Sequence, residues 1–228
     1  MKYHSPFLAT VLVLASILVL APSANAALTG TSALVPGDTI FVPTIPAGAD
    51  PGTLLASETV PFTTSINASG VLVAAVFLEA GGTLDFYYQL SDDSTSIDAL
   101  ARETNTDFTG FTTAVGYRTD GGTMLASSDP FVNGSVPPIF ADRNAPGDVV
   151  GFSFNQSDAT KIQPGQTSNV LVISTNATAF KVGHSSVIDG GTVTIATYEP
   201  AASVPEPMSL LFLGGGLLAL GSLRRFRH

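Results

Sequence analysis

The chain of 228 residues contains neither cysteine nor tryptophan. The first absence excludes disulfide bonds, a cysteine nucleophile and thiolate-bound metals. A domain without disulfides must be stabilised by its core alone. That is sufficient here, because a domain of about 170 residues buries about 70% of its unfolded-chain surface.

Histidine is scarce: His4 lies near the start, His228 is the last residue, and His184 is the only one between them. Nucleophilic catalysis needs a base beside the nucleophile, and the sequence has no G-x-S-x-G motif. A histidine-based zinc site lacks ligands as well. His184, near the end of a predicted strand, is typical of a surface residue, so we expect no enzyme activity.

Basic residues are few between residues 27 and 203, where five oppose 17 acidic residues, giving a net charge of −12 against −9 for the whole chain. Such a surface repels phosphate backbones and anionic lipid headgroups, which argues against nucleic-acid binding. It also keeps a protein soluble without any partner.

The first 26 residues have the three parts of a secretory signal peptide. Lys2 precedes an apolar run from Phe7 to Ala21, and Ala24-Asn25-Ala26 follows. This order predicts export and cleavage after Ala26, with Ala24 and Ala26 as the small residues of the cleavage site. The alternative is a retained anchor, for which the apolar run is short.

The other end of the chain has a proline-containing tether, an apolar segment and a basic end. Residues 199–207 form the predicted tether, in which Pro205 and Pro207 keep the backbone extended. Residues 208–223 would form a helix of about 24 Å, short for a hydrocarbon core of about 30 Å. The arginines of residues 224–228 are expected to remain in the cytoplasm.

This tail resembles the sorting tail of bacterial PEP-CTERM proteins. The resemblance implies recognition by an exosortase, a membrane-embedded transpeptidase-like cysteine protease that cuts near the Pro-Glu-Pro motif. It also implies a Gram-negative source that produces exopolysaccharide, transient retention in the inner membrane, and transfer to the cell surface or extracellular matrix. The residues that match the sorting motif are Val204, Pro205, Glu206 and Pro207, and those that match the basic end are Arg224, Arg225 and Arg227.

Other tails fit less well. A GPI signal normally ends in its apolar run without a basic cluster, and a Leu-Pro-x-Thr-Gly cell-wall motif is absent. An ordinary single-pass anchor remains as the alternative, in which case the protein would be permanently anchored in the periplasm.

The residue pattern in the middle of the chain predicts β structure. Gly-Gly-Thr occurs at residues 81–83, 121–123 and 190–192, and each copy predicts a hairpin turn because glycine supplies positive φ. Between Thr83 and Leu90 the residues alternate with a period of two. This pattern predicts that Leu84 and Phe86 face the core while Asp85, Tyr87 and Gln89 face water.

Further apolar stretches predict strands at residues 71–78, 150–154, 170–173 and 193–195, and a strand is favoured at 96–103. Residues 127–146, rich in proline, predict a surface crossover. Short strands between regular turns predict an all-β domain over residues 27–198, an antiparallel β-sandwich of the jelly-roll or immunoglobulin-like type.

Two kinds of ligand remain open for this domain. Carboxylates could act as a glycosidase pair or hold Ca²⁺, although no D-x-D-x-D-G loop is present. Tyrosines 87 and 117 could stack on sugar rings. The acidic residues considered are Glu79, Asp85, Asp92, Asp93, Asp98 and Glu103.

The sequence thus predicts a non-enzymatic exported protein of the cell surface, matrix or biofilm, without a required cofactor. The rival interpretation is a polysaccharide-binding or polysaccharide-modifying module.

Overall fold

The computed structural model describes residues 28–65, 68–125, 130–189 and 191–202. This part of the chain is almost entirely β structure, with two 3₁₀ turns at Gly121–Thr123 and Asp158–Thr160. The strands are β1 Ser32–Ala33, β2 Thr39–Phe41, β3 Thr53–Thr63, β4 Ser69–Leu78, β5 Leu84–Asp92, β6 Arg102–Asn105, β7 Thr113–Arg118, β8 Phe140–Arg143, β9 Val150–Ser153, β10 Val170–Thr175, β11 Ala179–Ile188 and β12 Thr192–Ala201.

The strands form two six-stranded sheets. Sheet A has the order β1-β7-β10-β5-β4-β3, and sheet B has the order β12-β11-β6-β9-β8-β2. All pairs of neighbouring strands are antiparallel. The predicted all-β antiparallel class is therefore confirmed.

One buried cluster combines side chains from both sheets. Sheet A contributes Phe86 and Leu171, and sheet B contributes Phe152 and Ile195. Each such side chain contributes about 1.5–3 kcal/mol when it is fully buried. The face of each sheet that supplies this shared cluster is its inner face, and the opposite face is its outer face.

Two of the three predicted hairpins are present. Residues 79–83 connect β4 to β5, with Gly82 at φ +83° and its amide donating to the carbonyl of Glu79. The β11–β12 hairpin turns through Asp189 and Gly191; Gly190 itself lies outside the described residues.

The hairpin predicted at residues 121–123 is wrong, because these residues form a 3₁₀ turn. Gly121 serves close packing instead: a Cβ there would lie 2.3 Å from the carbonyl oxygen of Val132. Glycine pairs occur for contact between loops as well as for positive φ, and the sequence does not separate the two uses.

Three predicted boundaries also differ. Residues 140–143 form β8 inside the predicted crossover, and the strand favoured over 96–103 begins only at Arg102. Strand β12 runs to Ala201, three residues into the predicted tether. Pro200 is tolerated because β12 is an edge strand, where one side of the backbone needs no partner. Pro61 occupies the same kind of place in the edge strand β3.

The central strands β5 and β10 of sheet A are buried on both faces, which corrects the predicted solvent-facing side of β5. Asp85, Tyr87 and Gln89 are at most 2% exposed. Two covering segments, residues 43–50 and 130–133, lie over the outer face of sheet A. There Ile45 and Phe131 form a second apolar cluster with Tyr87 and other side chains of the sheet.

Two polar side chains of sheet A hold the covering segments in place. Gln89 donates to the carbonyl of Val132 and accepts from its amide, at 2.8 and 3.0 Å, and also donates to the carbonyl of Ser168. Arg118 donates to the carbonyl of Ala49 at 2.7 Å. The backbone groups of Val132, Ser168 and Ala49 thus keep hydrogen-bond partners where the covering segments exclude water.

We predict that Gln89→Ala lowers the free energy of unfolding by about 1–3 kcal/mol, because it leaves the buried carbonyl of Ser168 and the half-buried backbone groups of Val132 without this partner. Urea denaturation measures this change. Gln156→Ala, at an exposed position, is the control and should change stability by less than about 0.5 kcal/mol. Equal stability of the two variants would contradict the role assigned to Gln89.

Candidate functional site

The residues predicted to direct sorting lie outside the described residues. They comprise the cleavage-site alanines Ala24 and Ala26, the motif Val204, Pro205, Glu206 and Pro207, and the basic residues Arg224, Arg225 and Arg227. In the part of the chain that is described, no helix is long and apolar enough to cross a membrane.

The buried carboxylates of the middle domain lie at separate places. Asp85 is on the outer face of sheet A, Asp92 ends β5, and Glu103 is on the inner face of sheet B, each at most 3% exposed. Within residues 28–65, 68–125, 130–189 and 191–202, no three histidine or acidic side chains form a group that could hold a metal ion.

Asp85 and Glu79 lie beside each other beneath the first covering segment, and each carboxyl influences the pKa of the other. Burial, followed by the charge of Glu79, raises the pKa of Asp85 to about 8. Burial also raises the pKa of Glu79. Since Asp85 is wholly buried, it is not available to bind sugar, and Tyr87 beside it packs against Phe77 and Phe131 rather than facing a ligand.

Glu103 belongs to a hydrogen-bonded row between the sheets. It accepts from the side-chain amide of Asn105 at 2.9 Å, and Ser185 links Asn105 to Thr197. Burial raises the pKa of Glu103 to about 8. The arrangement joins three strands of sheet B and fits a structural role.

The remaining predicted candidates are dispersed. Tyr117 is half-buried against the shared cluster, and Asp93 lies exposed after β5. Burial raises the pKa of Asp92 to about 6. The loop that follows contains Asp98, and His184 is exposed on β11, as predicted.

A charged groove of about 450 Å³ lies where the described chain ends, beside Ala201 and Ala202. Lys181 bridges Asp107 and Glu199 there, at 2.9 Å to each. Because its lysine is already engaged by two carboxylates, the groove offers little free charge to a ligand.

The outer face of sheet B has a different character. Paired residues of antiparallel strands point to the same side, so strand register defines two rows of side chains across this face. The first row contains Phe41, Phe140, Ser153, Arg102, Ile188 and Thr192. The second contains Thr39, Asp142, Gly151, Thr104, Ser186 and Thr194. We call these two rows the open face, since apart from Gly151 their residues are exposed or half-buried.

A flat ion pair lies near the middle of the open face. Arg102 donates through both terminal nitrogens to the two carboxylate oxygens of Asp142, and the Nη2–Oδ1 distance is 2.8 Å. A Cβ at Gly151 would come within 2.1 Å of Nη2 of Arg102. The absence of a side chain at Gly151 therefore lets the guanidinium lie against the sheet.

An aromatic pair lies beside this ion pair. The rings of Phe41 and Phe140 are 4.7 Å apart, and Phe41 is 73% exposed. Phe140 and Asp142 lie two residues apart on β8, about 7 Å along the strand and on the same face. Aromatic, planar polar and hydroxyl groups are thus adjacent on one face of the sheet.

The open face was not predicted from the sequence. Four of its residues come from β2 and β8, short strands in proline-containing segments where no strand was predicted. The alternation of Phe140, Ala141 and Asp142 was a usable signal, although it covers only a few residues.

Comparison with protein-family models, curated proteins and solved structures gives no match for this chain.

We predict that stability falls as pH rises from about 4 to about 8, because folding raises the pKa of Asp85 and of Glu103 and each folded carboxyl keeps a proton that the unfolded chain releases. Each group contributes a slope of at most about 1.4 kcal/mol per pH unit. Asp85→Asn should remove one such contribution and flatten the dependence. Denaturation at pH 5, 7 and 9 measures it.

Glu103→Gln is the matched comparison and should remove the other contribution, while Gln156→Ala, which changes an exposed residue without a titratable group, should leave the slope as it is in the wild type. An unchanged slope in Asp85→Asn would show that this carboxyl does not retain its proton in the fold.

Proposed function

We propose that the protein is a non-enzymatic component of the cell surface or extracellular matrix, exported by its signal peptide and sorted by an exosortase through its C-terminal tail. The observation that carries this proposal is the order of the tail, from Val204-Pro205-Glu206-Pro207 through the apolar segment to the terminal arginines. In this proposal the inner membrane holds the protein briefly, and exopolysaccharide surrounds it afterwards.

The end of β12 supports a particular geometry for this processing. The strand stops at Ala201, five residues before Glu206. Five residues span at most about 18 Å. The proposed enzyme would therefore act close to the folded domain, and a domain that is fully folded would limit how the motif enters its active site.

We further propose that the two sheets pack as a β-sandwich of the jelly-roll or immunoglobulin-like type. The shared cluster supports this arrangement, because Phe86 of sheet A and Phe152 of sheet B belong to it together. Inner faces that interdigitate in this way are typical of two sheets about 10 Å apart.

We predict that wild-type protein at the cell surface lacks the apolar segment 208–223, whereas Glu206→Ala retains it and stays in the membrane fraction. The variant removes the charged residue of the motif while leaving the anchor intact. Mass spectrometry of C-terminal peptides from surface and membrane fractions measures both outcomes.

Asp93→Ala removes an equal charge from an exposed loop and should be processed like the wild type. Full-length wild-type protein at the surface, with residues 208–228 present, would instead favour a permanent anchor and would refute processing.

A further inference from the structure

We infer that the open face of sheet B binds an extended, uncharged polysaccharide. This inference deepens the proposed function and rests on it for the presence of polysaccharide around the exported protein. The side chains of the open face are the evidence for binding itself.

The two outer faces differ in their cover. The centre of sheet A is covered by residues 43–50 and 130–133, whereas the residues of the open face of sheet B are exposed or half-buried, apart from Gly151. Phe41 is 73% exposed on that face and contacts Phe140. Large aromatic side chains are normally buried, so a highly exposed Phe41 packed on the half-buried Phe140 is typical of a binding surface.

The open face combines aromatic rings, an ion pair and hydroxyl groups. The electron-rich face of an aromatic ring attracts the positively polarised C–H bonds on one side of a sugar ring. The Arg102–Asp142 pair beside it offers planar donors and acceptors, since each carboxylate oxygen keeps a further lone pair. Hydroxyls of Thr104 and Ser186 continue the polar surface across the sheet. Stacking together with hydrogen bonding suits a polyhydroxylated ligand.

The extent and the charge of the open face also bear on the ligand. The face spans six strands, about 24 Å at about 4.8 Å per pair, which favours a chain lying across it over a small molecule. Within the two rows Arg102 and Asp142 neutralise each other, whereas the exported part as a whole carries an excess of 12 acidic residues. A polyanionic ligand would be repelled by that excess, so a neutral glycan is favoured.

A protein partner is less well supported. Stable protein interfaces need a contiguous apolar centre, and the exposed apolar surface here is limited mainly to the Phe41–Phe140 pair and the half-buried Ile188.

The test uses the full chain, purified in a detergent that is not a glycoside, in affinity electrophoresis through gels containing dextran, a mixed-linkage β-glucan or alginate. We expect retardation by at least one of the two neutral glucans. Phe41→Ala should weaken it about two- to tenfold, the range of a lost aromatic contact. Gly151→Ala should also weaken it, because the added Cβ displaces Arg102 from the sheet.

Two matched controls separate this effect from general loss of structure. Ile97→Ala removes another highly exposed apolar side chain, and Gly81→Ala adds a Cβ where nothing lies within 4 Å. Both should bind like the wild type, and thermal unfolding should verify that all four variants are folded.

No retardation by either neutral glucan, stronger retardation by alginate, or equal behaviour of Phe41→Ala and Ile97→Ala would each overturn the inference. Because binding is measured with purified protein, these outcomes leave the test of C-terminal processing unaffected, and failure of processing leaves the binding result unaffected.

Discussion

Burial of both faces of the central strands β5 and β10 of sheet A is the constraint on which the rest of the architecture depends. Strand β5 carries aromatic side chains on both sides, with Phe86 in the shared cluster and Tyr87 in the second one. The outer side is shielded from water only where loops cover it. The backbone groups of those loops then need hydrogen-bond partners. Gln89 and Arg118 provide them, and the same cover encloses the carboxyl of Asp85 in a place where its charge is costly.

Sheet B follows the simpler arrangement of antiparallel sheets, with one face in the core and one in water. Its inner side still contains polar groups, but Glu103 and Asn105 bind each other there. The two sheets thus differ: the centre of sheet A is enclosed, whereas sheet B presents an open surface. A stable platform beneath an exposed surface is what recognition of a long ligand needs, since the surface groups are then held in place before binding.

Strands in which apolar and polar residues alternate over many positions, such as β5, could be predicted from sequence. The hairpins at Gly82 and Gly191 could be predicted as well. The sequence did not predict whether each side of a strand is exposed or covered. Alternation of Asp85, Tyr87 and Gln89 with apolar residues looks the same whether water or a loop lies above them. That difference depends on contacts with residues far along the chain, Ile45 and Phe131 among them. The open face was missed for the same reason, because its residues meet only through strand register.

The prolines of the long edge strands have a consequence for crowded surroundings. Pro61 in β3 and Pro200 in β12 each lack the hydrogen that an incoming strand would need as a donor. Neighbouring molecules are therefore discouraged from joining edge to edge into fibrils, even at high local concentration. The domain can therefore remain dispersed at high concentration, and any network it enters would be connected through its broad faces.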